Sequence, residues 1–268
     1  MTLFQAAILG LVQGLTEFLP VSSSAHLALA PWLLGWQDPG LAFDVALHLG
    51  TLIALLWFFR AEWKSLIIAA LRMVRTRRIV GEDQRRVVLL LIATVPGGLA
   101  GKLLDDYAET TFRSPALMAS MLIIMGVVLW TVDRSAPADR PLDAMQPRHA
   151  LAIGLAQMFA LLPGVSRSGA TITAGRGLRF DRKSAAVFSF LMSMPITAAA
   201  VIFKLPDALR TTASVEALAV GVLAAALSGW LAITVLLRYV SRRGYGIFAV
   251  YRVALGALVL GLIFAGGR

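Results

Sequence analysis

Apolar stretches long enough to cross a membrane recur along the chain, separated by short polar ones. Residues 43–59, about 87–104 and about 115–131 form one set, and about 184–204, 215–237 and 247–265 form a second. As helices rising about 1.5 Å per residue, each approaches or exceeds the thickness of a hydrocarbon core of about 30 Å. Residues 3–19 and 25–36 are also apolar, but Pro20 separates them and neither spans that thickness once its polar end is discounted. They read as a re-entrant pair of helices, and the interrupted stretch at about 149–180 reads the same way. The expected fold is an all-α polytopic membrane protein in which each half is a re-entrant helix hairpin followed by three transmembrane helices.

The first break is polar where lipid would demand oil. It lies in GLVQGLTEFLPVSSSAHL, from Gly10 to Leu27. Gln13 and Glu17 are four apart and share a helix face. Pro20 ends that helix, Ser22, Ser23 and Ser24 are good N-cap residues for the next, and His26 falls in its first turn. Irregular backbone at membrane depth needs cover from protein or a water-filled cavity, and the exposed helix N-terminus attracts anions, phosphate above all.

A shift of about 144 positions aligns Gly10, Leu11, Gln13, Val21, Ser22 and Ser24 with Gly154, Leu155, Gln157, Val165, Ser166 and Ser168, which reads as a duplication. The copies differ in their chemistry. Glu17 and His26 of the first face Leu161 and Ala170 of the second, which instead places Arg167 opposite Ser23. Three spans per half is an odd number, so the halves should be inverted, with both breaks meeting near the midplane. Repeat one covers about 1–131, a linker marked by Pro137, Pro141 and Pro147 about 132–148, and repeat two about 149–268, all in a single membrane domain, 1–268.

Composition agrees: 58% hydrophobic and 15% charged residues, with a mean hydropathy of +0.77, exclude an ordinary soluble domain. The net charge of +10 does not point to nucleic acid, because the basic residues cluster beside apolar spans, where they set topology and meet anionic lipid. Arg60, Lys64, Arg72, Arg75, Arg77, Arg78, Arg85 and Arg86 predict a cytoplasmic loop, and Asp105, Asp106 and Glu109 a short acidic connection on the other side. Lys204 and Arg210 are assigned to that opposite side too. With no cysteine, thiolate metal sites are excluded. The N-terminal segment lacks a basic n-region and carries the polar cluster, so it is not read as a removable signal.

With GLVQGLTEFLPVSSSAHL and LLPGVSRSGATITAG in view, and FDVALHLGTLIAL and FSFLMSMP beside them, the chain resembles the bacitracin-resistance family of undecaprenyl-pyrophosphate phosphatases over nearly its whole length. The resemblance implies removal of the terminal phosphate from undecaprenyl pyrophosphate at the outer, periplasmic face of the bacterial cytoplasmic membrane, recycling the lipid carrier of peptidoglycan synthesis. It implies a site of Gln13, Glu17, Ser22, Ser23 and His26 from the first half and Ser166, Arg167, Ser168 and Thr171 from the second. Gln13 stands where many relatives have Glu, and a neutral amide cannot serve as a base.

Glu17, an intramembrane carboxylate beside a break, is a functional candidate by default and could hold Mg2+ or Ca2+ with phosphate oxygens and water. Ser23 is one candidate nucleophile, with His26 three residues on to take its proton; His26 itself is the other. Arg167, between two serines and before Gly169, is placed to clamp phosphate with paired donors. His48 reads as a satisfied buried histidine. The rival function is a transporter or flippase of a phosphorylated polyprenyl lipid, since broken helices in inverted repeats are above all a transporter architecture. A homodimer is compatible with either.

Overall fold

The computed structural model describes residues 1–109, 114–211 and 214–266. Helix α1 (Leu3–Phe18) opens on a reciprocal cap. Thr2 Oγ1 accepts from the Gln5 N–H at 3.2 Å while Gln5 Oε1 accepts from the Thr2 N–H at 2.9 Å. It stops where Leu19 turns extended before Pro20. Helix α2 (Ser23–Leu34) follows and ends on Gly35, whose φ of 68° only glycine adopts without strain. Then come α3 (Leu41–Phe58), α4 (Arg60–Thr76), α5 (Glu82–Glu109) and α6 (Pro115–Ser135). The second half comprises α7 (Pro147–Met158), a 3-10 turn at Phe159–Leu161, α8 (Arg167–Gly177), α9 (Arg182–Thr211), α10 (Val215–Val240) and α11 (Gly246–Phe264).

Among the described residues six helices are long and apolar enough to cross a membrane: α3, α5 over Glu82–Leu103, α6, α9 over Arg182–Lys204, α10 and α11. These are the six expected spans, and α1–α2 and α7–α8 are the two broken hairpins. Three expectations need correction. The basic loop after the first span is in part a helix, α4, because its apolar residues Trp63, Leu66, Ala70 and Met73 share one arc while Lys64, Arg72 and Arg75 share another. Counting charges hides that period. Asp105, Asp106 and Glu109 belong to the last turns of α5 rather than to a loop, and their side chains lie outside the described residues. Lys204 and Arg210 likewise fall within α9.

The halves exchange partners. Helix α1 packs on α10, and α7 on α5, so the first helix of each hairpin lies on the second span of the other half. Both crossings are backbone to backbone. A Cβ on Gly10 would stand 2.2 Å from the Gly221 carbonyl oxygen, and one on Gly154, which aligns with it in sequence, 2.5 Å from that of Ala93. With apolar lipid on every side, such close approach is what gives helix association its dispersion energy. Gly10→Val is expected to cost about 1–3 kcal/mol by overpacking, seen as a lower thermal midpoint in detergent.

At one end of the fold, Asp133 anchors the linker between the halves. Its Oδ1 accepts from Arg176 Nε and from Arg182 Nε, both at 2.8 Å, and its Oδ2 from the Tyr245 N–H at 3.0 Å. Arg176, fully buried, spends its remaining donors on the carbonyls of Ala136, Pro137 and Phe180. A buried charge so paired tolerates loss of its partner poorly.

Candidate active site

The two breaks are built alike. Ser22 and Ser166, the matched N-caps of α2 and α8, have φ of 75° and 73°, a region that non-glycine residues seldom occupy. Each hydroxyl caps its helix, Ser22 Oγ accepting from the Ala25 N–H at 3.4 Å and Ser166 Oγ from the Gly169 N–H at 3.1 Å. Each also lies 3.2 Å from the hydroxyl two residues on, Ser24 or Ser168. The remaining first-turn N–H groups have no intrahelical partner and point outward from the helix start.

What holds these strained corners together is mostly contact between the hairpins. Ser22 Oγ accepts from the Gly164 N–H at 3.2 Å, and Ser168 Oγ donates to the carbonyls of Glu17 and Leu19 at 3.2 and 3.1 Å. Arg252 on α11, fully buried, donates to Pro20 O at 3.0 Å in the first break and to Gly164 O and Val165 O at 2.7 and 2.9 Å in the second. One guanidinium thus joins both irregular segments. Arg252 is not among the site residues expected from the chain, although an arginine inside the apolar stretch 247–265 is itself a signal of function.

Glu17 is the centre. Its Oε1 pairs with Arg167 Nη2 at 2.5 Å, and its Oε2 accepts from Ser23 Oγ at 2.6 Å and from Gln13 Nε2 at 3.2 Å. The carboxylate is 7% exposed and sits beside a small cavity lined by Thr51 and Leu55 of α3 and by Ser193 and Thr197 of α9. Arg167 Nη1, buried, has no hydrogen-bond partner within the protein. A serine hydroxyl aimed at a carboxylate, with a spare guanidinium donor alongside, is suited to attack on phosphorus.

The structure therefore brings Gln13, Glu17, Ser23 and Arg167 into one cluster and treats the other expected residues differently. Ser22, Ser166 and Ser168 are committed to the breaks, and Thr171 Oγ1 to Arg167 O at 2.7 Å and Ser189 Oγ at 2.6 Å, tying α8 to α9. His26 turns away from Ser23: Nδ1 donates to Ser22 O at 2.7 Å and Nε2 lies 2.7 Å from the Tyr251 hydroxyl, the two rings stacked. No hydrogen bond joins His26 to Ser23 or Glu17. His48 does hold a structural bond, Nδ1 to Asp44 O at 2.9 Å, but its Nε2 faces Glu17 Oε2 at 3.5 Å, so it belongs to the site.

A profile of the family described as bacitracin resistance protein BacA matches residues 6–258. The chain belongs to that family. An undecaprenyl-diphosphatase of Gemmatimonas aurantiaca is 61% identical over 259 residues, 97% of each chain. One from Pelotomaculum thermopropionicum is 49% identical over 266 residues, 99% of this chain and 98% of its own, and one from Moorella thermoacetica 46% over 264, 98% and 99%. For this BacA-family member the remaining question at the site is what a divalent cation would find. Among the described residues no three His, Asp or Glu side chains gather to hold a metal. The oxygen ligands on offer are Glu17 and Gln13 Oε1, the latter buried with no hydrogen-bond partner in the protein. That sparse set fits a hard cation whose other ligands are phosphate oxygens and water.

Proposed function

We propose that this protein is a membrane phosphatase that hydrolyses undecaprenyl pyrophosphate to undecaprenyl phosphate and inorganic phosphate, recycling the lipid carrier of cell-wall synthesis and so conferring bacitracin resistance. The observation that carries the mechanism is the 2.6 Å bond from Ser23 Oγ to Glu17 Oε2 beside the unpartnered Arg167 Nη1. Ser23 Oγ attacks the terminal phosphorus as Glu17 accepts its proton. The bond from that phosphorus to the bridging oxygen breaks, and the lipid monophosphate leaves as a stable anion. Arg167 Nη1 takes the charge that builds on the phosphoryl oxygens. Water then attacks the phosphoserine and releases inorganic phosphate. His26 is the weaker nucleophile, because its ring nitrogens are engaged by Ser22 O and the Tyr251 hydroxyl.

Mg2+ or Ca2+ would be held by Glu17 and Gln13 Oε1. When bound it would neutralise pyrophosphate charge. The site is read as opening to the outer leaflet of the bacterial cytoplasmic membrane, with the halves inverted, because Arg60 to Arg86, Arg134 to Arg148 and Arg238 to Arg243 fall on one side in that topology. All of the residues named come from one chain, and a homodimer is compatible with this reading. A flippase would need anion binding at the breaks but no activated hydroxyl, and it leaves the Ser23–Glu17 bond without a purpose.

Purified protein in detergent, where transport has no meaning, is expected to release inorganic phosphate from a long-chain prenyl pyrophosphate and to stop at the monophosphate, whose next leaving group is a poor one, the lipid alkoxide. Labelled substrate is expected to leave an acid-stable phosphoryl adduct on Ser23. No phosphate release would return the protein to the transporter reading, and an acid-labile, base-stable adduct would move the nucleophile to His26.

A further inference from the structure

Helix α4 carries more apolar surface than its neighbours cover. Leu66 and Ala69 are buried, with α5 the main contact. Ile67, Leu71 and Val74, spaced i, i+4 and i+7, form a second strip that is 53%, 66% and 74% exposed. Lys64 and Arg75 border it, with Arg72 beyond them, and Ile79 and Val80 after the helix are exposed as well. Yet α4 is not among the six helices apolar enough to cross a membrane. An apolar strip with a basic border suits the boundary between headgroups and acyl chains, where such a helix lies in plane.

The ends of the neighbouring spans put α4 at that boundary. It follows α3 after a single residue, Phe59, and the Arg60 guanidinium lies 5.5 Å from the ring of Trp57, an exposed tryptophan at the end of a span. Further along, the Ser65 hydroxyl donates to Asp83 in the first turn of α5, where the next span begins. Glu82 and Asp83 are paired with Arg85 and Arg86 at 3.7 and 3.8 Å. Arg72, Arg75, Arg77 and Arg78 are exposed and make no ion pair among the described residues. Arg72 and Arg78 line an open cleft of about 990 Å3 between α4 and the segment that returns to α5.

We propose that α4 lies in the plane of the membrane surface and that Arg72, Arg75, Arg77 and Arg78 bind the phosphates of anionic phospholipid headgroups there. Two kinds of complementarity select this occupant: the strip meets acyl chains and its basic border meets phosphate. An acidic soluble protein would match the arginines, but it would have to displace lipid from a strip that starts at the membrane boundary. The cleft is open, so charge is selected rather than one headgroup. Through Ser65 and Asp83 a bound lipid steadies α5, whose Ala93 backs Gly154 of the second hairpin. None of this depends on the phosphatase reading.

The cysteine-free chain allows a direct test. Full-length Leu71→Cys and Val74→Cys proteins are spin-labelled in vesicles of phosphatidylcholine with phosphatidylglycerol. At both positions, relaxation by oxygen, which concentrates in the bilayer, is expected to exceed relaxation by a water-soluble nickel chelate. Nickel access above oxygen access at either position overturns the proposal and returns the strip to a protein partner. The headgroup site is tested by thermal midpoint in detergent with phosphatidylcholine, part of which is replaced by phosphatidylglycerol. The midpoint is expected to rise by about 2–4 °C for the unaltered chain, and to rise less at high salt. The same rise is expected when all four arginines are replaced by lysine, and none with Arg72→Gln, Arg75→Gln, Arg77→Gln and Arg78→Gln together. Should that fourfold variant not fold, each single Arg→Gln is expected to remove part of the rise. Glycerol phosphate, which has the headgroup charge without acyl chains, is expected to leave the midpoint unchanged. No rise in the unaltered chain, a rise that survives the Arg→Gln substitutions, or an equal rise with glycerol phosphate overturns the assignment.

Discussion

Glu17→Gln is expected to lower phosphate release by about three orders of magnitude, in the middle of the range for loss of a positioned base, while the protein keeps its detergent-stable fold. The amide retains the size of the carboxyl, and its oxygen can still accept from one neighbour. It cannot take the Ser23 proton, and it offers Arg167 no counter-charge. Two contacts converge on this one side chain, Ser23 Oγ at 2.6 Å and Arg167 at 2.5 Å, and it is the carboxylate that the proposed cation would use. The measurement is kcat/KM with a prenyl pyrophosphate beside a thermal unfolding curve. Near-normal turnover would remove the base and metal roles together. Loss of activity with loss of fold would instead make Glu17 a strut between the hairpins.

Arg167→Lys is expected to cost about two orders of magnitude or more in kcat, the scale seen when one transition-state donor is removed. The charge survives, so binding of the pyrophosphate should weaken less than turnover. The planar fork does not survive. In the structure the guanidinium spends Nη2 on Glu17 and keeps Nη1 for another partner, a division that a lysine ammonium, a compact point charge, cannot reproduce from one place. Separate determination of kcat and KM decides the matter. A variant that raises KM alone would place Arg167 in substrate capture rather than in the chemistry.

Several of these features were legible in the chain because they are local. Glu17 and Ser23 are six residues apart across a proline, and any fold that breaks the helix at Pro20 keeps them close. Ser22 and Ser166 could be picked out as a pair because they align in sequence, and the structure gives them matching φ angles. His26 illustrates the limit. Three residues from Ser23, it satisfied the spacing for a proton acceptor, but which way its ring turns depends on Tyr251, which is remote in the chain.

Spans, breaks and the kind of chemistry follow from the order of residues along the chain, since apolar length, proline and cap residues act within a few positions of where they stand. Which polar groups meet is set by how the helices pack. Glu17 reaches Arg167 because α1 lies on α10 and the hairpins interlock through Ser22, Ser168 and Arg252; His48 enters the site because α3 presents it there. The reason is physical. In a membrane the face toward lipid and the face toward protein are both apolar, so hydrophobic periodicity does not reveal which side of a helix is inward. That information resides in close packing at residues such as Gly10 and Gly154, whose effect appears only when the opposing backbone is in place.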